Sequence, residues 1–239
     1  MTPRSAQIPT GMRQPLADAI VALADTPDDV PGVDDRLRRL AELAADRIDA
    51  VDYAAVASRH GDGACTVAAG GDLVKSVEAA SQDDSQDDSQ DASDSEPGGD
   101  TTMAWPGFRD TAAEMGLGLV SVPLFTGSGT AIATLDLYGR EVSAMAPLTA
   151  GICAAYDPDL PWPGDTEDVP AMDAGGEELV TGFAEALSVR ATIQCALALI
   201  MANDKIKDQD AYLKLRVRAA GDGVSLSTAA NTVIMSKFG

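Results

Sequence analysis

A change of hydrophobic period part-way along the chain limits what it can fold into. Between residues 53 and 139, apolar residues fall in short strand-length runs broken by glycine turns. From Glu177 to Ile234 they recur at three- and four-residue steps, with no strand-like alternation. A helix-period segment cannot extend a sheet. The chain therefore joins a mixed α+β unit to an all-helical one, and 239 residues give room for one to two domains.

In the mixed unit, "PLADAIVALADT" and "DDRLRRLAELAADRI" have helical spacing, with Asp34 expected as the N-cap of the second. "DYAAVAS" and "CTVAA" are expected as strands joined through Gly61-Asp62-Gly63. "SVEAA" and "GFRDTAAEMG" are expected as short helices, "GLVSVPLF" and "TAIATLDLYG" as a hairpin, and "SAMAPLTAGICAAYD" as a closing helix. Residues 1–14 are expected to be disordered. The tract 81–100 has eight acids, no base and a DDSQ repeat, so it has almost nothing to bury. Residues 157–175, with four prolines, are expected as a linker.

The helical part divides in three. A helix from about Glu177 to Ala202 is longer than a small bundle needs, and its first half is expected to project as a stalk pairing in a coiled coil. A second helix is expected from Asp208, as N-cap, to Ala220, ended by Gly221-Asp222-Gly223. Ser225 is expected to cap a third, and Tyr212 to be core.

Charge is segregated in the same way. The chain carries −21, yet residues 186–239 hold seven Lys/Arg against four Asp/Glu, a net +3. The acidic body repels nucleic acid, so only this tail can approach a phosphate backbone without that penalty. Lys205, Lys207, Lys214, Arg216 and Arg218 supply the cations. Ser227, Thr228 and Asn231 supply hydrogen-bonding groups on the third helix. These eight are the candidate residues for contact with nucleic acid.

Enzyme chemistry is not expected. The only histidine, His60, falls in an expected turn, and no Ser or Cys has an activating neighbour. No metal or cofactor is expected, and the dispersed Cys65, Cys153 and Cys195 fit reduced, buried thiols. The longest apolar run, "CALALIMA", is eight residues, against roughly 18 for a bilayer crossing. A cytoplasmic location without membrane contact is the expectation.

"GLVSVPLFTGSGTAIATLDLYG" resembles the GAF family through Ser121, Val122, Pro123, Leu124, Gly127, Leu135, Leu137 and Tyr138. The likeness covers roughly 25–157. It implies a sensor unit with a sheet flanked by helices and, in many members, a small-molecule pocket. The tail resembles the ANTAR family. Arg190, Ile193, Ala196 and Ile200-Met201 carry the first motif, Ala211, Tyr212, Leu215 and Arg216 the second, and Leu226, Ala229 and Ala230 the third. The family's Lys is Leu197 here, and its Gly is Ala198. This resemblance implies recognition of RNA stem-loops by a transcription antitermination regulator.

The expected organisation is thus an α+β GAF-like domain over 15–157, its antiparallel sheet flanked by helices. A linker (158–175) and a helical stalk with a three-helix ANTAR bundle (176–239) follow. The expected partners are RNA stem-loops and a second copy of the chain, with a small-molecule ligand of the head left open. Two other readings stay open: a non-catalytic protein-interaction dimer, for which Leu197 speaks, and a small-molecule sensor acting through the head.

Overall fold

A computed structural model describes residues 15–28, 30–60, 63–71, 112, 114–165 and 170–238. The expectations for residues 1–14, for "SVEAA", for the acidic tract and for most of "GFRDTAAEMG" lie outside these residues. The elements run α1 (Pro15–Ala24), α2 (Val33–Arg47), β1 (Tyr53–His60), β2 (Gly63–Gly71), β3 (Gly118–Phe125), β4 (Ala131–Gly139), α3 (Val142–Tyr156), α4 (Ala174–Asp204), α5 (Asp208–Asp222) and α6 (Leu226–Phe238). The architecture is mixed α+β.

The strands form one antiparallel sheet in the order β2-β1-β4-β3. Pro123 has no N–H to give a ladder, and it sits on the edge strand β3, where none is needed on the open side. Alternation divides the sheet. Ala54, Val56, Val120, Val122, Leu124, Leu135 and Leu137 face a core shared with α1, α2, α3 and the start of α4. The other face carries Tyr53 and Tyr138, rings 5.5 Å apart, with Ala55, Ala112 and Leu117. Asp136 is buried there and accepts the Ser121 hydroxyl at 2.6 Å.

Helix ends correct two expectations. The N-cap of α2 is Gly32, at φ 88°, and Asp34 lies in the first turn beside Asp35. The N-cap of α5 is Lys207, with Asp208 and Asp210 inside the first turn. In both helices the acids face the positive end of the dipole, which favours them there without a capping bond.

The larger correction concerns α4. It spans 31 residues, about 46 Å at 1.5 Å per residue. Asp173 starts it by accepting the Gly176 N–H at 2.6 Å. Its first half is no projecting stalk. Leu179, Val180, Phe183 and Ala186 are buried in the head core, and Glu178 is buried against Arg47. The apolar face expected to pair with a second copy is used within the chain. The second half, Ile193 to Ile200, enters a separate core with α5 and α6. One continuous helix therefore serves two cores.

Among the described residues α4 alone is long and apolar enough to cross a membrane by length and composition. Cys153 and Cys195, expected to be buried, are exposed free thiols. The Cys65 side chain lies outside the described residues. His60, placed in a turn by the sequence, ends β1 opposite Gly63.

Candidate nucleic-acid interface

The tail core is built from small steps of apolar residues. Ile193, Ala196, Leu197 and Ile200 of α4 meet Ala211, Leu215 and Ala219 of α5, and Leu226, Ala229, Ala230 and Val233 of α6. Leu197 is 2 % exposed. A lysine at that position would have to bend its ammonium out of this core to stay hydrated. Ala198, in place of the family glycine, faces solvent. The helices end cleanly. Lys205 closes α4 at φ 54° and Gly223 closes α5 at φ 65°. Ser225 caps α6 by accepting the Thr228 N–H at 3.2 Å.

The eight candidate residues do not form one surface. Lys214 and Arg218, one turn apart on α5, converge on a recess between the end of α4, α5 and α6. Lys214 Nζ lies 2.6 Å from Asp204 Oδ2, and Arg218 Nε lies 3.9 Å from Asp222 Oδ2. Such exposed pairs contribute roughly 0–1 kcal/mol, so an incoming phosphate can displace them. Lys205 and Lys207 are exposed at the α4–α5 corner. Arg216 belongs to another side of the helix. It lies 5.7 Å over the Tyr212 ring and borders Asp25 and Pro27 of the head. Asn231 is exposed, while Thr228 is tied into the cap by the Ser225 hydroxyl at 3.1 Å.

Four of the tail's polar residues hold the head. Asp25, just past α1, accepts both the Ser227 N–H (2.7 Å) and the Ser227 hydroxyl (3.0 Å). Ser227 is therefore a head contact and not an open RNA-binding group. Tyr212, expected as core, is half-buried with its hydroxyl donating to Asp28 Oδ1 at 3.3 Å. Burial, first, pushes that phenol up to about 12; the Asp28 carboxylate adds to the rise, while the Asp28 backbone N–H and the Arg216 charge oppose it. The Thr126-Gly127-Ser128-Gly129 turn completes the join. Gln194 donates to the Ser128 carbonyl at 2.6 Å, and Arg190 to the Gly129 carbonyl at 2.7 Å. Leu226 fills the space over Gly127 so closely that a Cβ there would collide with it. Turn-forming residue types mark this segment in the sequence; only the fold shows that it clasps α4.

This join gives a direct test. Asp25→Ala removes the side-chain acceptor at the start of α6, a loss worth about 0.5–2 kcal/mol at a helix N-terminus. Hydrogen exchange at the Ser227 amide should quicken by up to about tenfold while head-core amides change less. Unchanged protection at Ser227 would show that Asp25 does not hold the tail.

Sequence reasoning missed Lys237 and Asn203. Lys237 is the basic residue in the last turn of α6, and its Nζ donates to Asn203 Oδ1 at 2.9 Å. A cation in a last turn is a legible signal. Its convergence with Lys214 and Arg218 is not, since it depends on how α6 returns to the end of α4. Among the described residues no group of three or more His, Cys, Asp or Glu is arranged to hold a metal ion. Comparison of the chain with family models, curated proteins and solved structures finds no match.

Proposed function

We propose that this chain is an RNA-binding regulator of transcription antitermination, with a GAF-type head and an ANTAR-type tail, working in the cytoplasm without a chemical step. The observation that carries the reading is the gathering of Lys214, Arg218 and Lys237 around one tail recess in a chain of charge −21. An anionic polymer approaching this protein finds an attractive surface there, and Lys205 and Lys207 extend it. The head supplies the sensing and self-association roles. Its second sheet face, where the Ser121 hydroxyl meets the buried Asp136 carboxylate one row from the Tyr53–Tyr138 pair, is where a small signal molecule would act.

The test is binding of full-length protein to a tandem stem-loop RNA across a salt series. Affinity should fall steeply with salt as counterions are released. The double reversal Lys214→Glu, Arg218→Glu should flatten the salt slope by about two, roughly one for each phosphate no longer neutralised, with the mass of the assembly unchanged. An unaltered slope would remove the assignment of these residues.

A second reading has its own observation. Leu213, Val217 and Val224 are 57 %, 65 % and 40 % exposed on the side of the tail beside Pro27. Such a cluster suits a protein-interaction module. On that reading the charge reversals leave RNA retention untouched, and Val217→Lys dissociates the assembly.

A further inference from the structure

We infer that two copies of the chain pair head to tail through the outward face of α4, with the two helices antiparallel. This rests on the self-association assigned above and names the surface that carries it.

The face is marked by what it lacks. Ile193, Ala196, Leu197 and Ile200 turn one side of α4 into the tail core. The opposite side carries Ala184, Ser188, Ala191, Cys195, Ala198 and Ala202, at alternating steps of four and three residues. All but the half-buried Ala184 are exposed. A surface helix ordinarily carries charge on its solvent side. Here 23 % of the chain is charged, yet from Ala186 to Asn203 the one charged residue is Arg190. Its side chain is committed to the Gly129 carbonyl and the Phe125 ring. The half-buried Leu187, Leu199 and Met201 flank the row. A helix neutral or apolar on every side is one that another surface covers.

A second copy fits that face by shape and by charge. Alternating steps of four and three are the spacing by which two helices pack along their length. The row runs about 27 Å at 1.5 Å per residue. Side chains this small let the axes approach at the near end of the usual separation of roughly 8–10 Å. Two chains of −21 repel wherever their charged surfaces meet, so a seam between them has to be neutral. Residues 186–239 hold +3, leaving −24 on the rest of the chain. Antiparallel pairing sets each acidic head beside the cationic tail of the other copy. Parallel pairing would set head against head. An acidic or basic protein of another kind would find no charge to meet on this face.

The register follows from the spacing, because the row reads the same from either end. Ala191 lies across from the partner's Cys195, Ser188 across from the partner's Ala198, and Ala184 across from the partner's Ala202. The two Cys195 residues are then offset by about 6 Å along the axis as well as by the gap between helices, beyond the reach of a disulfide. In a parallel pair they would face each other.

The experiment uses the full chain. In a background where Cys195 is the single cysteine, sedimentation should give a dimer that mild oxidation with diamide does not lock. Adding Ala191→Cys should yield a covalent dimer under the same oxidation, seen as a doubled mass without reductant. In the otherwise wild-type chain, Ala191→Glu places like charges together in the seam and should raise the dimer dissociation constant about a hundredfold or more. Ala191 is exposed in the single chain, so an unchanged circular dichroism spectrum checks that this variant folds. Locking through Cys195 alone would overturn the antiparallel arrangement. A dimer that survives Ala191→Glu and is not locked by Ala191→Cys would refute the seam and leave self-association to another surface. A wild-type chain that stays monomeric at its highest soluble concentration would remove both.

Discussion

Arg47→Met is expected to destabilise the fold by about 3 kcal/mol. Arg47 ends α2, and its guanidinium grips the Glu178 carboxylate with two bonds, 2.7 Å and 3.1 Å. Glu178 lies in the head half of α4 with its side chain 8 % exposed, and it also accepts the Leu16 N–H at 3.3 Å. Methionine keeps much of the packing of the arginine stem and removes the charge. The carboxylate is then left in the core with one neutral donor. Breaking a buried pair in this way costs roughly 3–5 kcal/mol; the lower end applies because Arg47 is 38 % exposed and water can reach the site. For a chain of this length the thermal midpoint should fall by about 6–12 °C. Replacing Glu178 by Met as well should recover much of the loss, since a buried pair can often be exchanged for apolar groups near neutrality. A single variant that melts with the wild type would mean that the pair does not join α2 to α4.

The second large effect sets helix propensity against packing. Alanine in place of a helical glycine ordinarily stabilises by about 1 kcal/mol. Gly175 and Gly182 should reverse that sign. A Cβ at Gly175 would run into the Arg47 carbonyl, and one at Gly182 would lie 2.5 Å from the Ala17 Cα. Both obstacles are backbone, so relief requires moving α4 away from α2 or α1. Overpacking of this kind costs roughly 1–3 kcal/mol and sometimes more, which exceeds the propensity gain. A net loss of about 2 kcal/mol is expected for Gly182→Ala, read as a lower denaturant midpoint. Gly221 is the internal control. It lies in α5 with nothing within 4 Å of its would-be Cβ, so Gly221→Ala should stabilise by up to about 1 kcal/mol. If all three variants shift stability in the same direction, the close approach of α1, α2 and α4 is not what holds the head together.

Much of the secondary structure is legible in residue types. Strand β3 is expected at "GLVSVPLF" and spans Gly118–Phe125. The Ser225 cap and the Gly223 stop of the last two helices also follow from residue type. Beyond the two helix caps, what the sequence left undecided has a common cause. A stalk is inferred from the length of α4 alone, because a helix carries no mark of which partner covers its apolar stripe. Tyr212 packs against the tail core as its ring suggests, but its hydroxyl reaches a residue 184 positions away, which nothing local announces. Ser227 looks free for RNA because the carboxylate that takes it, Asp25, lies 202 positions away.

The sequence by itself determined the two hydrophobic periods, the charge segregation, the Gly223 stop and the Ser225 start, because each depends on neighbours within a few residues. Tertiary structure alone decided that α4 runs through both cores, that Asp25 takes Ser227 across 202 positions, and that Lys214, Arg218 and Lys237 close on one recess. Those arrangements arise from packing between distant segments, where apolar area and backbone clearance choose the partner. No local pattern of residue types encodes that choice.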